Sequence, residues 1–310
     1  MVEKDFQKQL EEKAAGIEEL LRRFLPEEKG YQKTVLEAMN YSLMAGGKRL
    51  RPMLMQETYR MFGGQGREIE PFMAAIEMIH TYSLVHDDLP AMDNDEYRRG
   101  RKTTHVVYGE SMGILAGDGL LNYAFETAIK AFPLNQDMEE CRMSSGRLQA
   151  IARALYVLAG KAGIYGMIGG QTADVEAQEQ SRPVTADQLL FIHEHKTAAL
   201  IQAAMMAGAV LAGASEAQIQ LVEKCAYNVG IAFQIQDDIL DITGDSSRLG
   251  KQVGSDARNH KQTYVTIHGL EKSQEDVALL SEEAVSILDS FDGDHEFLKQ
   301  LILMLIHRQK

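Results

Sequence analysis

Cysteine and proline are both scarce in this chain of 310 residues, and each scarcity removes a class of protein. The two cysteines, Cys141 and Cys225, stand far apart with no CxxC spacing. Neither a disulfide framework nor a structural zinc site is therefore supported, and a reduced, cytoplasmic setting is expected. Only six prolines occur, and none follows Pro183, so the rest of the chain carries no imposed break and favours helices. The period-two alternation that fills a sheet is missing. Also missing is any uninterrupted apolar run long enough to span a bilayer, so no membrane insertion is expected. The opening stretch MVEKDFQKQLEEKAAGIEELL is acidic and amphipathic, not a basic segment leading into an apolar one, and is not expected to be a signal peptide. Positive charge is in deficit too: a net charge of -13 argues against a general binder of nucleic acid or membrane surfaces, because both are polyanions.

The hydrophobic content, 45%, is enough for one large core, and no linker-like change of composition divides the chain. One domain spanning residues 1–310 is the reading. Thr185 with Gln188, and Ser215 with Gln218, each place a hydroxyl three residues before a glutamine at the start of an apolar-periodic segment, which predicts helix N-termini. GGQG at 63–66 reads as a turn between helices. The fold class is all-α, with roughly a dozen helices mostly of ordinary length. No repeat of solenoid period is present, but two acidic clusters about 150 residues apart echo each other.

The first cluster is HDDLPAMD at 86–93, behind the apolar lead-in YSLV; the second is FQIQDDILD at 233–241. Ionised carboxylates crowded at the end of an apolar helix repel one another and resist desolvation, so a cation is the natural companion. Asp237 and Asp241 are four residues apart, about 40° around a helix, and can share an ion, whereas Asp238 turns some 100° away and reads as supporting or solvated. Asp87 and Asp93 would diverge on a continuous helix, but Pro90 breaks it and lets Asp93 swing back. Carboxylates without histidine or cysteine suit a hard ion such as Mg²⁺, which takes part of its shell from substrate phosphates. Basic residues point the same way. Lys48, Arg49 and Arg51 crowd the turn GGKRLRP, and Arg98, Arg99 and Arg101 follow the first acidic cluster, a local density of phosphate-binding groups that opposes the global charge.

In this order, GGKRLRP, HTYSLVHDDLPAMDNDEYRRG, GGQTAD, HKT and FQIQDDILDITGD…LGK resemble the trans-isoprenyl diphosphate synthases, nearest to the bacterial farnesyl diphosphate synthases. The resemblance covers about residues 40–266. It implies a single-domain helical bundle around a deep central cavity, a homodimer, and a Mg²⁺-dependent condensation of isopentenyl diphosphate with dimethylallyl or geranyl diphosphate by ionisation, condensation and elimination. It also implies three Mg²⁺ on the allylic diphosphate, held by Asp87 and Asp93 with Asp88 supporting, and by Asp237 with Asp238 and Asp241 beside it. Arg98, Lys196, Lys251 and Lys261 match the lysines and arginine of the allylic diphosphate site, to which Asp238 is also assigned. Lys48, Arg51, His80 and Arg99 match the pocket for isopentenyl diphosphate. Thr197 and Gln234, with Lys196, match the residues that stabilise the allylic cation.

Tyr82 and Ser83 precede Asp87 by five and four residues, about 6 to 7.5 Å down a helix. In the resembling enzymes an aromatic there, with the longer first motif, accompanies a fifteen-carbon product, so farnesyl diphosphate is expected, with geranyl or geranylgeranyl diphosphate as the alternatives. A class I terpene cyclase would carry a different second metal motif and lack GKRLRP. A non-catalytic subunit of a heteromeric synthase would have lost an acidic motif, and both stand here. His193 and His195 diverge on a helix and read as solvated or capping, and His86 as structural. Gln171 and Asp174 match a family motif yet read equally as anchors for neighbouring helices and lysines. Cys225 and the methionines read as core filling.

Overall fold

A computed structural model describes residues 2–133, 144–179, 183–243 and 262–306. Among these the chain is helical apart from one two-residue antiparallel ladder, β1 (Tyr97–Arg98) with β2 (Arg101–Lys102). The first helices are α1 (Val2–Phe24), α2 (Lys33–Leu43), α3 (Leu50–Met61), α4 (Ile69–Asp87), α5 (Thr104–Tyr108) and α6 (Glu110–Ile129). They are followed by α7 (Ser145–Ala162), α8 (Met167–Glu179) and α9 (Ala186–Ile192), and then by a π-helical turn over His193–Ala198 that leads into α10 (Ala199–Leu211). The last are α11 (Glu216–Thr243), α12 (Tyr264–His268), α13 (Leu270–Asp289) and α14 (Glu296–Ile306). The expected helix starts form: Thr185 and Gln188 make a reciprocal capping box at α9, and Ser215 and Gln218 exchange the same pair of bonds at α11.

Helix α10 is the axis of the bundle. Every residue of ALIQAAMMAGAVL is buried, which is what an all-round apolar helix requires. It packs against α3, α7, α11 and α4, while α4 lies along α6 and α11 along α13. One stretch, Ser145–Gln178, is long and apolar enough on average to cross a membrane, but it is two helices, α7 and α8, separated by a break at 163–166. Cys225 is buried and unoxidised in the core, and its thiol is pushed up to about 12 by that burial, so core filling is its part. Cys141 lies outside the described residues.

Arg49 does not join Lys48 at the surface. It sits at the N-cap of α3 with φ 51°, 2% exposed, and reaches Glu18 of α1 at 2.7 Å, Glu77 of α4 at 2.6 Å and the Leu43 carbonyl at 2.7 Å. Burial works against its charge, but the two carboxylates outweigh it and leave the guanidinium raised. Three helices are thereby pinned to the glycine-led turn. Arg49→Ala leaves Glu77 buried and unpaired, so denaturant unfolding should show a loss of about 3 to 5 kcal/mol. Arg49→Met with Glu77→Leu should recover most of it, and a single variant as stable as the parent would refute the tie.

Candidate active site

The mouth of the site is the C-terminal end of α4. That helix ends at Asp87 with Asp88 as its cap, so two carboxylates stand at the negative end of a helix dipole. The chain then turns at LPAM, and the Asp93 N–H donates to the Asp87 carbonyl at 2.8 Å, as the proline requires. Asn94, at φ 53°, closes the turn by bonding back to the Leu89 carbonyl. Burial raises the Asp87 carboxyl; Lys196 lowers it, and Asp93 and Asp174 raise it further. Asp88 is pushed up to about 6 by burial, against the pull of Arg98, whose Nε donates to it at 2.6 Å. Arg98 also reaches Asp95 at 3.3 Å. Asp88 thus holds the Arg98 guanidinium in place.

Facing the mouth is the π-helical turn. Lys196 donates to Asp174 of α8 at 2.5 Å and is raised by Asp174, Asp87 and Asp93 in spite of its burial. The lysine stands among three carboxylates where a cation is stabilised. Thr197 donates to the Gln234 side-chain oxygen of α11 at 3.0 Å, and Asp237 is one turn beyond Gln234 on the same side of that helix. The two acidic motifs are therefore linked through Lys196, Thr197 and Gln234. Asp238, read as supporting or solvated, is not solvated: it is buried, accepts from the Tyr264 N–H at 2.7 Å and lies 3.9 Å from His193. The solvated or capping reading of His193 fails for the same reason, since the imidazole is buried against Asp238 and stacked near Tyr264. His195 instead stacks on Phe191 and bonds its carbonyl.

Behind the mouth lies a cavity of about 790 Å³. Arg51, His80, Asp87, Lys196 and Thr197 form its polar lining, and Tyr82, Leu121, Met167, Val175 and Leu200 much of its apolar wall. Arg51 is pushed down to about 10 by burial, helped by Arg99 and resisted by Glu77, and its buried Nε has no hydrogen-bond partner among the described residues. An unsatisfied guanidinium donor beside a cavity calls for an anion. Burial first, then Arg51 and Arg99, hold His80 well below the usual imidazole range, so it is a neutral hydrogen-bonding group. Arg99, at φ 55°, lays its guanidinium over Gly47, where a Cβ would come within 2.7 Å of it, and donates to the Gly46 carbonyl. Lys48 is exposed on the same turn. Tyr82 is buried edge-on to His86, with ring centroids 5.7 Å apart, and Ser83 bonds the His80 carbonyl. His86 bonds the Ile114 carbonyl of α6 at 3.0 Å and also lines the cavity. Gln171 lines the cavity, and Asp174 anchors Lys196. Lys251 and Lys261 lie outside the described residues.

Among the described residues no three histidine, cysteine or acidic side chains close into a finished metal cage. The donors present are carboxylates, one of them raised by burial and by its acidic neighbours, with a lysine already drawn in among them. That set fits Mg²⁺, which accepts one or two protein oxygens and completes its shell with water and phosphate. The cavity walls from α6, α8 and α10, such as Leu121, Met167 and Leu200, carry no sequence signal beyond hydrophobicity.

The geometry of paired acidic motifs, a basic turn and an apolar cavity has close counterparts. The polyprenyl synthetase family profile matches residues 32–294. The chain is 44% identical to the farnesyl diphosphate synthase of Geobacillus stearothermophilus over 92% of both chains, and 41% identical to the geranylgeranyl diphosphate synthase of Cyanophora paradoxa over 92% of this chain and 90% of that one. Its fold superposes on a geranyltransferase from Helicobacter pylori, solved in complex with magnesium and isoprenyl diphosphate, with TM-score 0.77 and 30% identity over 96% and 95% of the two chains. With the match running through every motif that forms the mouth and most of the cavity, the chain belongs to the polyprenyl synthetase family.

Proposed function

We propose that this enzyme is a farnesyl diphosphate synthase, joining isopentenyl diphosphate to dimethylallyl and then geranyl diphosphate. The observation that carries the reading is that one cavity brings together an unsatisfied donor from Arg51, a desolvated carboxylate from Asp87 and a bulky wall from Tyr82. Asp87 and Asp93, with Asp237 and Asp241, would hold Mg²⁺, three ions when the allylic substrate is bound. Bound there, the ions neutralise charge on the leaving diphosphate. Arg98 and Lys196, with Lys251 and Lys261, bind the allylic diphosphate. Asp238 serves that site by holding α12 and the turn at His193 in place. Arg51, His80, Arg99 and Lys48 bind isopentenyl diphosphate, the neutral imidazole donating or accepting without adding charge.

Catalysis on this reading needs no protein nucleophile. The allylic carbon–oxygen bond breaks to give a cation and diphosphate, and the double bond of isopentenyl diphosphate attacks the cation. A proton then leaves for the departed diphosphate. The oxygens of Thr197 and Gln234, at the junction of the π-helical turn and α11, stabilise the cation from fixed positions. A homodimer is supported by exposed apolar side chains on adjoining helices, Val106 and Val107 of α5 with Ile114 and Leu115 of α6. The same paucity of cysteine supports a cytoplasmic setting.

The test is incubation of the purified chain alone with dimethylallyl and isopentenyl diphosphates and Mg²⁺, with products resolved by chain length. Farnesyl diphosphate should accumulate, and chelation of divalent ions should stop it. A geranylgeranyl product would favour the alternative that the Cyanophora relative represents. Cyclic hydrocarbon, or no turnover without a second chain, would overturn the reading.

A further inference from the structure

Lys196 and Thr197 are adjacent in sequence, and on a regular helix adjacent side chains diverge by about 100°. Here both line one cavity, and the turn that carries them is π-helical: the Ala199 N–H bonds the Glu194 carbonyl, five residues back. A π-turn is a costly irregularity and needs support from outside.

That support comes from two helices in the same pattern. On α8, a Cβ at Gly170 would stand 2.6 Å from the His195 carbonyl carbon and closer still to the Lys196 nitrogen. One turn later on the same face, Asp174 holds the Lys196 ammonium at 2.5 Å. On α11, a Cβ at Gly230 would stand 2.6 Å from the Ala198 Cα and overlap the Ala198 methyl. One turn later, Gln234 accepts the Thr197 hydroxyl at 3.0 Å. Each helix thus presses a glycine on the backbone of the turn and grips the tip of one functional side chain four residues on. Glycine in a helix interior costs roughly 0.5 to 1 kcal/mol relative to alanine, so two such residues at the two contacts need a compensating role.

We infer that Gly170 and Gly230 are positioning residues, a two-sided clamp that holds the π-helical turn and so sets where Lys196 and Thr197 stand over the allylic substrate. The inference rests on the reading of those two side chains given above.

Gly170→Ala and Gly230→Ala, assayed in the full chain with geranyl and isopentenyl diphosphates and Mg²⁺, should lower kcat by about tenfold to a hundredfold, the usual cost of a displacement near 1 Å. KM for isopentenyl diphosphate should not change. Gly208→Ala supplies the comparison: its Cβ would meet the backbone of Met55 and Tyr59 in the α3–α10 contact, away from the cavity lining, so it should lose stability but keep kcat per folded molecule. Ala198→Gly should restore part of kcat to the Gly230→Ala chain, because it removes the methyl that the new Cβ strikes while the contact with the Ala198 Cα remains, and the double variant is the one to assay where Gly230→Ala alone does not fold. Parental kcat in both alanine variants, or no rescue, overturns the clamp. Lys196→Ala separates the two readings: parental kcat there removes the underlying assignment, whereas a low kcat there with active alanine variants removes only the clamp.

Discussion

Asp87→Ala and Asp237→Ala should each reduce the rate of prenyl elongation by roughly 10³-fold or more, because each deletes a charge expected to hold ions worth several kcal/mol of transition-state stabilisation. The argument starts from electrostatics. Asp87 ends α4, where the helix dipole opposes a negative charge, and it is desolvated beside Asp93 and Asp174. Nothing in folding favours that arrangement, and Lys196 offsets only part of it. Alanine at 87 should therefore leave the fold as stable as before, or more so, while abolishing turnover. Asp237 is carried by α11 one turn beyond Gln234, on the opposite bank. Radiolabelled isopentenyl diphosphate incorporation at saturating Mg²⁺, with parallel thermal melts, measures both. Raised Mg²⁺ should rescue neither variant fully, and an elongation rate within a few-fold of the parent in either would remove the metal reading of that motif.

How far the sequence reaches can be judged residue by residue. The fold of Asp93 onto Asp87 is legible because Pro90 breaks the helix, and the placing of Asp237 and Asp241 on one side of α11 because α-helical spacing holds along it. Where local rules apply, local sequence suffices. Arg49 was not legible: it stands in the same basic run as Lys48 and Arg51, and only the partners Glu18 and Glu77, distant in sequence, turn it into a core residue. His193 illustrates a different limit. Its side chain does diverge from His195, but inward, against Asp238 and Tyr264, and spacing alone does not say which of two diverging side chains faces the core. Gly230, which makes room for the π-helical turn, carries no signal in a single sequence, because a glycine in an apolar helix reads as a weakness until its neighbour is known, whereas Gly170 stands out only as part of GGQTAD. Tertiary approach decided each of these.

Tyr82→Ala should shift the main product from farnesyl to geranylgeranyl diphosphate. Tyr82 hangs from α4 about one and a half turns below Asp87, and its phenol, pushed up to about 12 by burial and by Asp87, stays neutral throughout the working range. Its ring meets His86 edge-on, and His86 is in turn held by the Ile114 carbonyl, so the wall is braced from α6 and cannot swing away from a growing tail. Removing the ring opens space for one more isoprene unit. Desolvating five carbons is worth about 4 kcal/mol at roughly 0.8 kcal/mol per carbon, a factor of several hundred in the balance between release and another round of elongation. That is ample to invert a product ratio. The ratio is also insensitive to how much variant folds, since every folded molecule reports its own chain length. Tyr82→Phe keeps the bulk and should keep farnesyl diphosphate, whereas His86→Ala should loosen the brace and give a mixture. An unchanged product from Tyr82→Ala would mean that the tail passes elsewhere in the cavity, along Met167 and Leu200, and that α4 does not set its length.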